Sequence, residues 1–284
     1  MTPVWRKREE ALFLFLMRLS LGIVLLSLAA ILGVIIYKGA SALSFSMLWQ
    51  TPKGGYYLGG GGGIANAIVG SLYLAAGASL ISFLLSLPVA FSLQREFAGP
   101  RVANFTKMML DILWGTPSIV FGAFGFVIMS WLGLRASLLA GIIVLTLVML
   151  PIMVRAVEQI IRMVPQDLKD ISYALGTTRI ETSWAVVFRQ ALPGIITGFL
   201  LGFGRGIGDA ASILFTAGYT DYIPRSLFEP VASLPLAVFF QIGTPIPEVQ
   251  QRAYAAALVL LFIVLIVSLL SRGLSRRFSR HILK

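Results

Sequence analysis

The sequence predicts an all-α integral membrane protein with six spanning helices and both chain ends in the cytoplasm. Three observations predict it. Of 284 residues, 57% are hydrophobic and only 12% charged, with a mean hydropathy of +0.88; soluble domains carry about 25% charged residues. Six charge-free stretches, at 19–37, 54–94, 112–134, 136–154, 190–204 and 253–271, reach or approach the ~20 apolar residues of a bilayer span. With the N-terminus inside, 17 of the 23 Lys and Arg fall on inner segments and five on outer ones (Lys38, Lys53, Arg135, Arg225, Arg252), leaving Arg205 within the membrane. That bias obeys the positive-inside rule. It also spreads the net charge of +11 over membrane flanks, so no nucleic-acid reading surface is needed to explain it.

The whole chain, 1–284, reads as one transmembrane domain. The first helix is expected at 12–37. Arg6, Lys7 and Arg8 before it and Ala40-Ser41-Ala42 after it would suit a secretory signal. Its apolar run exceeds the roughly 7–15 residues of a signal core, so it is read as an uncleaved span. The Gly-rich stretch 57–63 reads as a flexible lead into the second helix, 65–93. The third helix, 108–132, contains Pro117, which kinks it or delays its start. Lys107 and Asp111, four residues apart, are expected to pair at its inner end. The fourth helix follows at 136–155.

A cytoplasmic connection of about two short helices spans 155–190, with Pro165 suited to a first helical turn and Gly176 to a C-terminal cap. The fifth helix is placed at 191–218 and the sixth at 253–272. The outer connection between them, 219–252, is punctuated by Pro224, Pro230, Pro235, Pro245 and Pro247. Its apolar run 234–242 is expected to pack or re-enter the membrane. Trp5, Trp49 and Trp131 suit interface anchors, and the basic tail from Arg272 to Lys284 suits anionic headgroups.

The fifth helix carries the functional signal. On a wheel at about 100° per residue, Gly194, Gly198, Gly202, Arg205, Asp209, Ser212 and Thr216 all fall in one narrow stripe. Ile196, Phe199, Phe203, Ile207 and Leu214 lie opposite, suited to lipid or apolar neighbours. The glycines let another helix approach closely. Arg205 and Asp209 then either glue helices together or mark a substrate path, the usual meaning of an ionisable residue in a bilayer. An arginine stays protonated and presents a planar fork, which favours an anionic substrate over a cation.

Other chemistry is poorly provided for. Cysteine is absent, the single histidine is His281, and no lysine follows a glycine, so a phosphate-binding GK-[ST] loop does not occur. The chain is therefore read as a non-enzyme that hydrolyses no nucleotide, with no catalytic residue, metal site or cofactor of its own. A secondary anion carrier would show repeats and interrupted helices in both halves; one polar helix is present.

Asp170-Ile171-Ser172-Tyr173-Ala174-Leu175-Gly176-Thr177-Thr178-Arg179 resembles the EAA-type coupling loop of ABC importer permeases. Asp170 stands at the Glu position and Gly176 at the Gly position; Ile171, Ser172, Phe188 and Arg189 depart from the pattern. Gly62-Gly63-Ile64-Ala65-Asn66-Ala67-Ile68, Gly115-Thr116-Pro117-Ser118-Ile119-Val120-Phe121-Gly122, Ala191-Leu192-Pro193-Gly194-Ile195, Gly204-Arg205-Gly206-Ile207-Gly208-Asp209 and Ser233-Leu234-Pro235-Leu236 follow the order seen in PstA-type permeases of phosphate ABC importers. Those permeases usually carry Glu at the Asp209 position. The resemblance implies the type I ABC importer permease fold in the cell membrane. It further implies a PstC-type permease partner, a PstB-type ATPase dimer that binds the ATP and Mg, and a PstS-type phosphate-binding protein. Asp170, Ala174, Gly176, Thr177 and Arg179 would meet the ATPase, and Arg205 and Asp209 would line the path. The same machinery could carry sulfate, molybdate or phosphonate.

Overall fold

A computed structural model describes residues 3–278, and among them every regular element is helical. Arg280, His281, Lys284 and the side chain of Trp5 lie outside what is described, so part of the expected basic tail is not placed. The helices are α1 (Pro3–Ala42), α2 (Phe45–Trp49), α3 (Ala65–Ser92), α4 (Pro100–Gly115), α5 (Ser118–Trp131), α6 (Leu138–Arg162), α7 (Gln166–Ala174), α8 (Arg179–Thr182), α9 (Arg189–Ile207), α10 (Leu234–Ile242) and α11 (Pro247–Phe278). Five are long and apolar enough to cross a bilayer: α1, α3, α6, α8 with α9, and α11.

The expected third span is instead two helices, α4 and α5, bent by 95°. Pro117 lacks an amide hydrogen and drives the residue before it out of helical geometry. Thr116 accordingly takes φ −77° and ψ 128°, and its Oγ1 donates to the Ile112 carbonyl (2.8 Å). The break separates an amphipathic α4, carrying Arg101, Lys107 and Asp111, from the uncharged α5.

The bundle is built around α3 against α6. Ala75, Ala78, Ser79, Ser82 and Ser86 of α3 are fully buried, and their small side chains let the helices close on each other. In lipid such close approach, rather than release of water, holds helices together. Thr146 Oγ1 donates to the Ile142 carbonyl (2.7 Å) and stands 3.4 Å from that of Ala78. Leu74, Leu145, Met149 and Met153 fill the seam. By contrast α1 is exposed along most of its length and touches α11, where Lys38 lies 4.8 Å over the Tyr254 ring.

The fifth helix ends early. α9 stops at Ile207, not at 218, so Asp209, Ser212 and Thr216 do not continue its wheel. Three glycines in five residues (Gly204, Gly206, Gly208) weaken the helix. Asp209 then offers its side chain to the backbone instead, with Oδ1 accepting from Ser212 N (2.9 Å). The following segment doubles back into the bundle, and Ser212, Thr216, Ala217 and Val231 are fully buried. Backbone hydrogen bonds pin it to the start of α6: Ser137 N to Thr216 O (2.9 Å) and Leu138 N to Glu229 O (2.8 Å).

The Gly-rich stretch 57–63 is also more ordered than its composition suggests. It forms a compact turn with Gly55, Gly59 and Gly62 at positive φ. Arg252 at the start of α11 stacks on Tyr56 (4.2 Å) and donates to the carbonyls of Tyr56 (2.5 Å), Gly59 (3.3 Å) and Gly60. The apolar run 234–242 packs as α10, and Ser71 Oγ accepts from Leu234 N (2.7 Å) to seat it.

Candidate functional site

At about 1.5 Å per residue, Arg205 stands about 24 Å along α9 from Arg189. The helix turns Gly194, Gly198 and Gly202 toward α6 of the same chain. A Cβ on Gly194 would lie 2.7 Å from Ile160, one on Gly198 3.4 Å from Ala156, and one on Gly202 would overlap Met153. The stripe is therefore an intramolecular seam. Phe199, expected to meet lipid or an apolar neighbour, packs edge-on against Phe83 (5.3 Å), and Ile207 is buried.

Leu201 and Arg205 stand at the exposed edge of that seam, one turn apart. Arg205 Nη1 donates to Asp209 Oδ2 (2.9 Å), with the arginine side chain 47% exposed and the aspartate 2%. Their separation of four residues does not come from one continuous helix, because Asp209 sits in the turn beyond α9. Asp209 uses one oxygen to fix its turn and the other to aim the guanidinium. The remaining N–H groups of Arg205 have no partner among the described residues, a geometry that would suit an oxyanion on the exposed side. Below it, α6 and α9 border a groove of about 420 Å³ lined by Ala156, Ile160, Gly198 and Leu201.

A second candidate region lies at the other end of α9. Gly176 has φ +85°, the left-handed conformation in which a helix end turns with least strain when the residue is glycine. Thr178 then starts α8 with a capping box, exchanging hydrogen bonds with Glu181. Pro165 is the N-cap of α7 rather than a residue of its first turn. Asp170, Ala174 and Gly176 are exposed, and beside them Ile171, Leu175 and Ile180 are 58%, 80% and 64% exposed. Thr177 points inward, its Oγ1 2.8 Å from both Ser172 and Thr182. Arg179 reaches back to the Glu96 carbonyl (2.7 Å). A wide π-helical turn, Ser183–Phe188, carries the chain from this loop into α9.

Two clusters of ion pairs that local sequence alone does not reveal hold this region. Asp111 does not pair with Lys107 but with Arg155 (2.5 Å), while Lys107 pairs with Glu158 (3.0 Å). Glu158, buried on α6, also takes Arg155 (3.1 Å) and Arg162 (2.6 Å). The spacing of Arg155, Glu158 and Arg162 at three and four residues was the available signal; the cation from α4 was not. In addition, Lys169 of α7 pairs with Glu96 (2.9 Å).

Burial opposes ionisation of Glu96, but the Lys169 hydrogen bond, a backbone bond and the Lys169 and Arg179 charges outweigh it and hold the carboxyl below its usual value. A lowered carboxyl contributes stability above its unfolded value and loses it as pH falls through the folded one. This tie is therefore intact at neutral pH and released only on the acid side of the ordinary glutamate range. Glu96→Gln at neutral pH is expected to reproduce the release, read as several-fold faster amide exchange across 169–179 with α3 unchanged.

A family model described as "binding-protein-dependent transport system inner membrane component" matches residues 83–283. The chain is 32% identical over 269 residues to the phosphate transport system permease protein PstA of Yersinia pestis, covering 94% of this chain and 90% of that protein. It is 34% identical over 253 residues to PstA 1 of Mycobacterium tuberculosis H37Rv, covering 88% and 82%. A probable ABC transporter permease, YqgI of Bacillus subtilis, is 32% identical over 289 residues, covering 95% and 96%. Among solved structures, an inward-facing MetNI methionine ABC transporter superposes with TM-score 0.63 at 18% identity, over 83% of this chain and 99% of that one. A bacterial alginate ABC transporter in complex with an alginate pentasaccharide-bound periplasmic protein gives 0.65 at 15% identity, over 97% and 98%.

Proposed function

The chain belongs to the binding-protein-dependent transport inner membrane components, among the PstA-type permeases, and we propose that it is one of two permease subunits of an ATP-driven importer for inorganic phosphate. In this reading it lies in the cell membrane with six crossings, the bent pair α4–α5 counting as one, and both ends in the cytoplasm. It contributes no catalytic chemistry. A PstC-type permease completes the path, a PstB-type ATPase dimer binds ATP and Mg, and a PstS-type protein delivers phosphate from outside.

The observation that carries the reading is the exposed guanidinium of Arg205, in the last turn of a spanning helix and aimed by a buried acid. Phosphate oxygens match its fork. One arginine does not balance a divalent anion, so the partner permease is expected to supply further positive charge. Proteoliposomes holding the assembled importer should take up labelled phosphate only with ATP and the binding protein, and excess sulfate or molybdate should not compete. Uptake by the permeases without the ATPase would overturn the reading in favour of a secondary carrier. Competition by sulfate or molybdate would move the cargo to another oxyanion.

The loop after α6 is the proposed ATPase contact. Its exposed Ile171, Leu175 and Ile180 form an apolar surface suited to a groove on a partner. Gly176→Val is expected to uncouple ATP hydrolysis from uptake, because a β-branched residue strains the left-handed conformation at that position. The space there is open, so the variant should fold and assemble. Normal ATP-driven uptake by it would remove the basis for the contact.

A further inference from the structure

A cavity of about 740 Å³ opens where the α3–α4 connection, α4, the end of α6 and α7 meet. Arg95, Lys107, Arg162 and Lys169 line it, against one lining acid, Glu96. Lys169 is matched by Glu96. Lys107, Arg155 and Arg162 converge on the buried carboxylate of Glu158, and Arg155 also holds Asp111. Five cations (these four and Arg155) thus meet three carboxylates, leaving an excess of two positive charges. Arg95 makes no ion pair among the described residues. Arg162 is 54% exposed and gives Glu158 one nitrogen, which leaves most of its N–H donors unused.

The position of the cavity narrows the ligand class. Beside it α4 exposes Val102, Phe105, Met108 and Ile112, an apolar face suited to lying in the lipid boundary. In the orientation proposed above this is the cytoplasmic boundary, where basic pockets between spanning helices accept anionic headgroups. Clustered N–H donors with surplus positive charge suit oxygens of a phosphoryl group. We propose that this cavity binds a phosphoryl oxyanion, held by Arg95 and Arg162 with Lys107 and Lys169 behind them. An anionic lipid headgroup and free inorganic phosphate share that chemistry. The proposal rests on the membrane placement and not on the identity of the transported cargo.

The test uses the full chain, purified with neutral detergent, in two arms. In the first, native mass spectrometry follows lipid retained from an equimolar mixture of phosphatidylglycerol and phosphatidylcholine. In the second, equilibrium dialysis follows labelled inorganic phosphate on the chain in phosphatidylcholine nanodiscs. The variants are Arg95→Gln/Arg162→Gln, its Lys/Lys counterpart, and Arg18→Gln/Arg101→Gln as an equal change of charge outside the cavity. Glu158 keeps Lys107 and Arg155 in all of them, so the fold is expected to persist. In a lipid site, the wild type prefers phosphatidylglycerol by about tenfold or more, the Gln/Gln variant loses the preference, and the other two keep it. In a free-phosphate site, the same pattern appears in dialysis and survives Arg205→Gln. If neither ligand depends on Arg95 and Arg162, or if the Arg18/Arg101 variant loses as much, the proposal is overturned.

Discussion

Arg205→Gln is expected to lower phosphate uptake by about 10- to 100-fold, the loss of one charged hydrogen-bonding group, in an importer that still assembles. The guanidinium is half exposed and held by a single ion pair, so its removal leaves no cavity in the bundle. Glutamine keeps hydrogen-bonding groups but neither the charge nor the fork. Arg205→Lys keeps the charge as a point donor and should retain part of the uptake. Asp209→Asn asks a different question. An amide oxygen can still accept from Ser212 N, so the turn should survive, while the guanidinium loses its tether. Phosphate is then expected to bind more tightly and leave more slowly, with ATP hydrolysis continuing. Uptake of labelled phosphate and ATPase rate, measured together on each assembled variant, separate these outcomes. Normal uptake by Arg205→Gln, or failure of that variant to assemble, would identify the pair as structural only.

Gly122→Ala should be strongly damaging in α5. A Cβ there would lie 2.7 Å from the Ser212 carbonyl and 2.9 Å from that of Ala211, both backbone atoms that a side-chain rotation cannot move. Overpacking of this kind costs about 1–3 kcal/mol. It also pushes on the turn that Asp209 holds, so uptake should fall with stability. Gly115→Ala, in the same stretch of sequence, is the matched comparison. Nothing lies within 4 Å of its Cβ and its φ is not positive, so alanine should be neutral or stabilise the end of α4 by a few tenths of a kcal/mol to about 1 kcal/mol. Thermal midpoints of the two variants in detergent give the comparison. Equal midpoints would mean that α5 is not packed on the 209–217 turn.

Composition, apolar run length and the placement of Lys and Arg suffice to read a helical membrane protein, because a bilayer demands long uncharged helices whatever their neighbours. Local chemistry was legible on the same terms. Gly176 at a left-handed helix end and Gly194, Gly198 and Gly202 on one close-packed face follow from properties of single residues and of helix periodicity. Four features required the folded chain. α9 stops at Ile207 because a short-range contest between glycines, Asp209 and the helix is decided by burial of the following segment. Asp111 chooses Arg155, 44 residues away, over the lysine one turn before it. Glu158 gathers a third cation from α4, and the glycine-rich stretch 57–63 is held by Arg252, more than 190 residues later. Each depends on which distant segments meet, and side-chain reach across such a contact is a property of packing that no local pattern encodes.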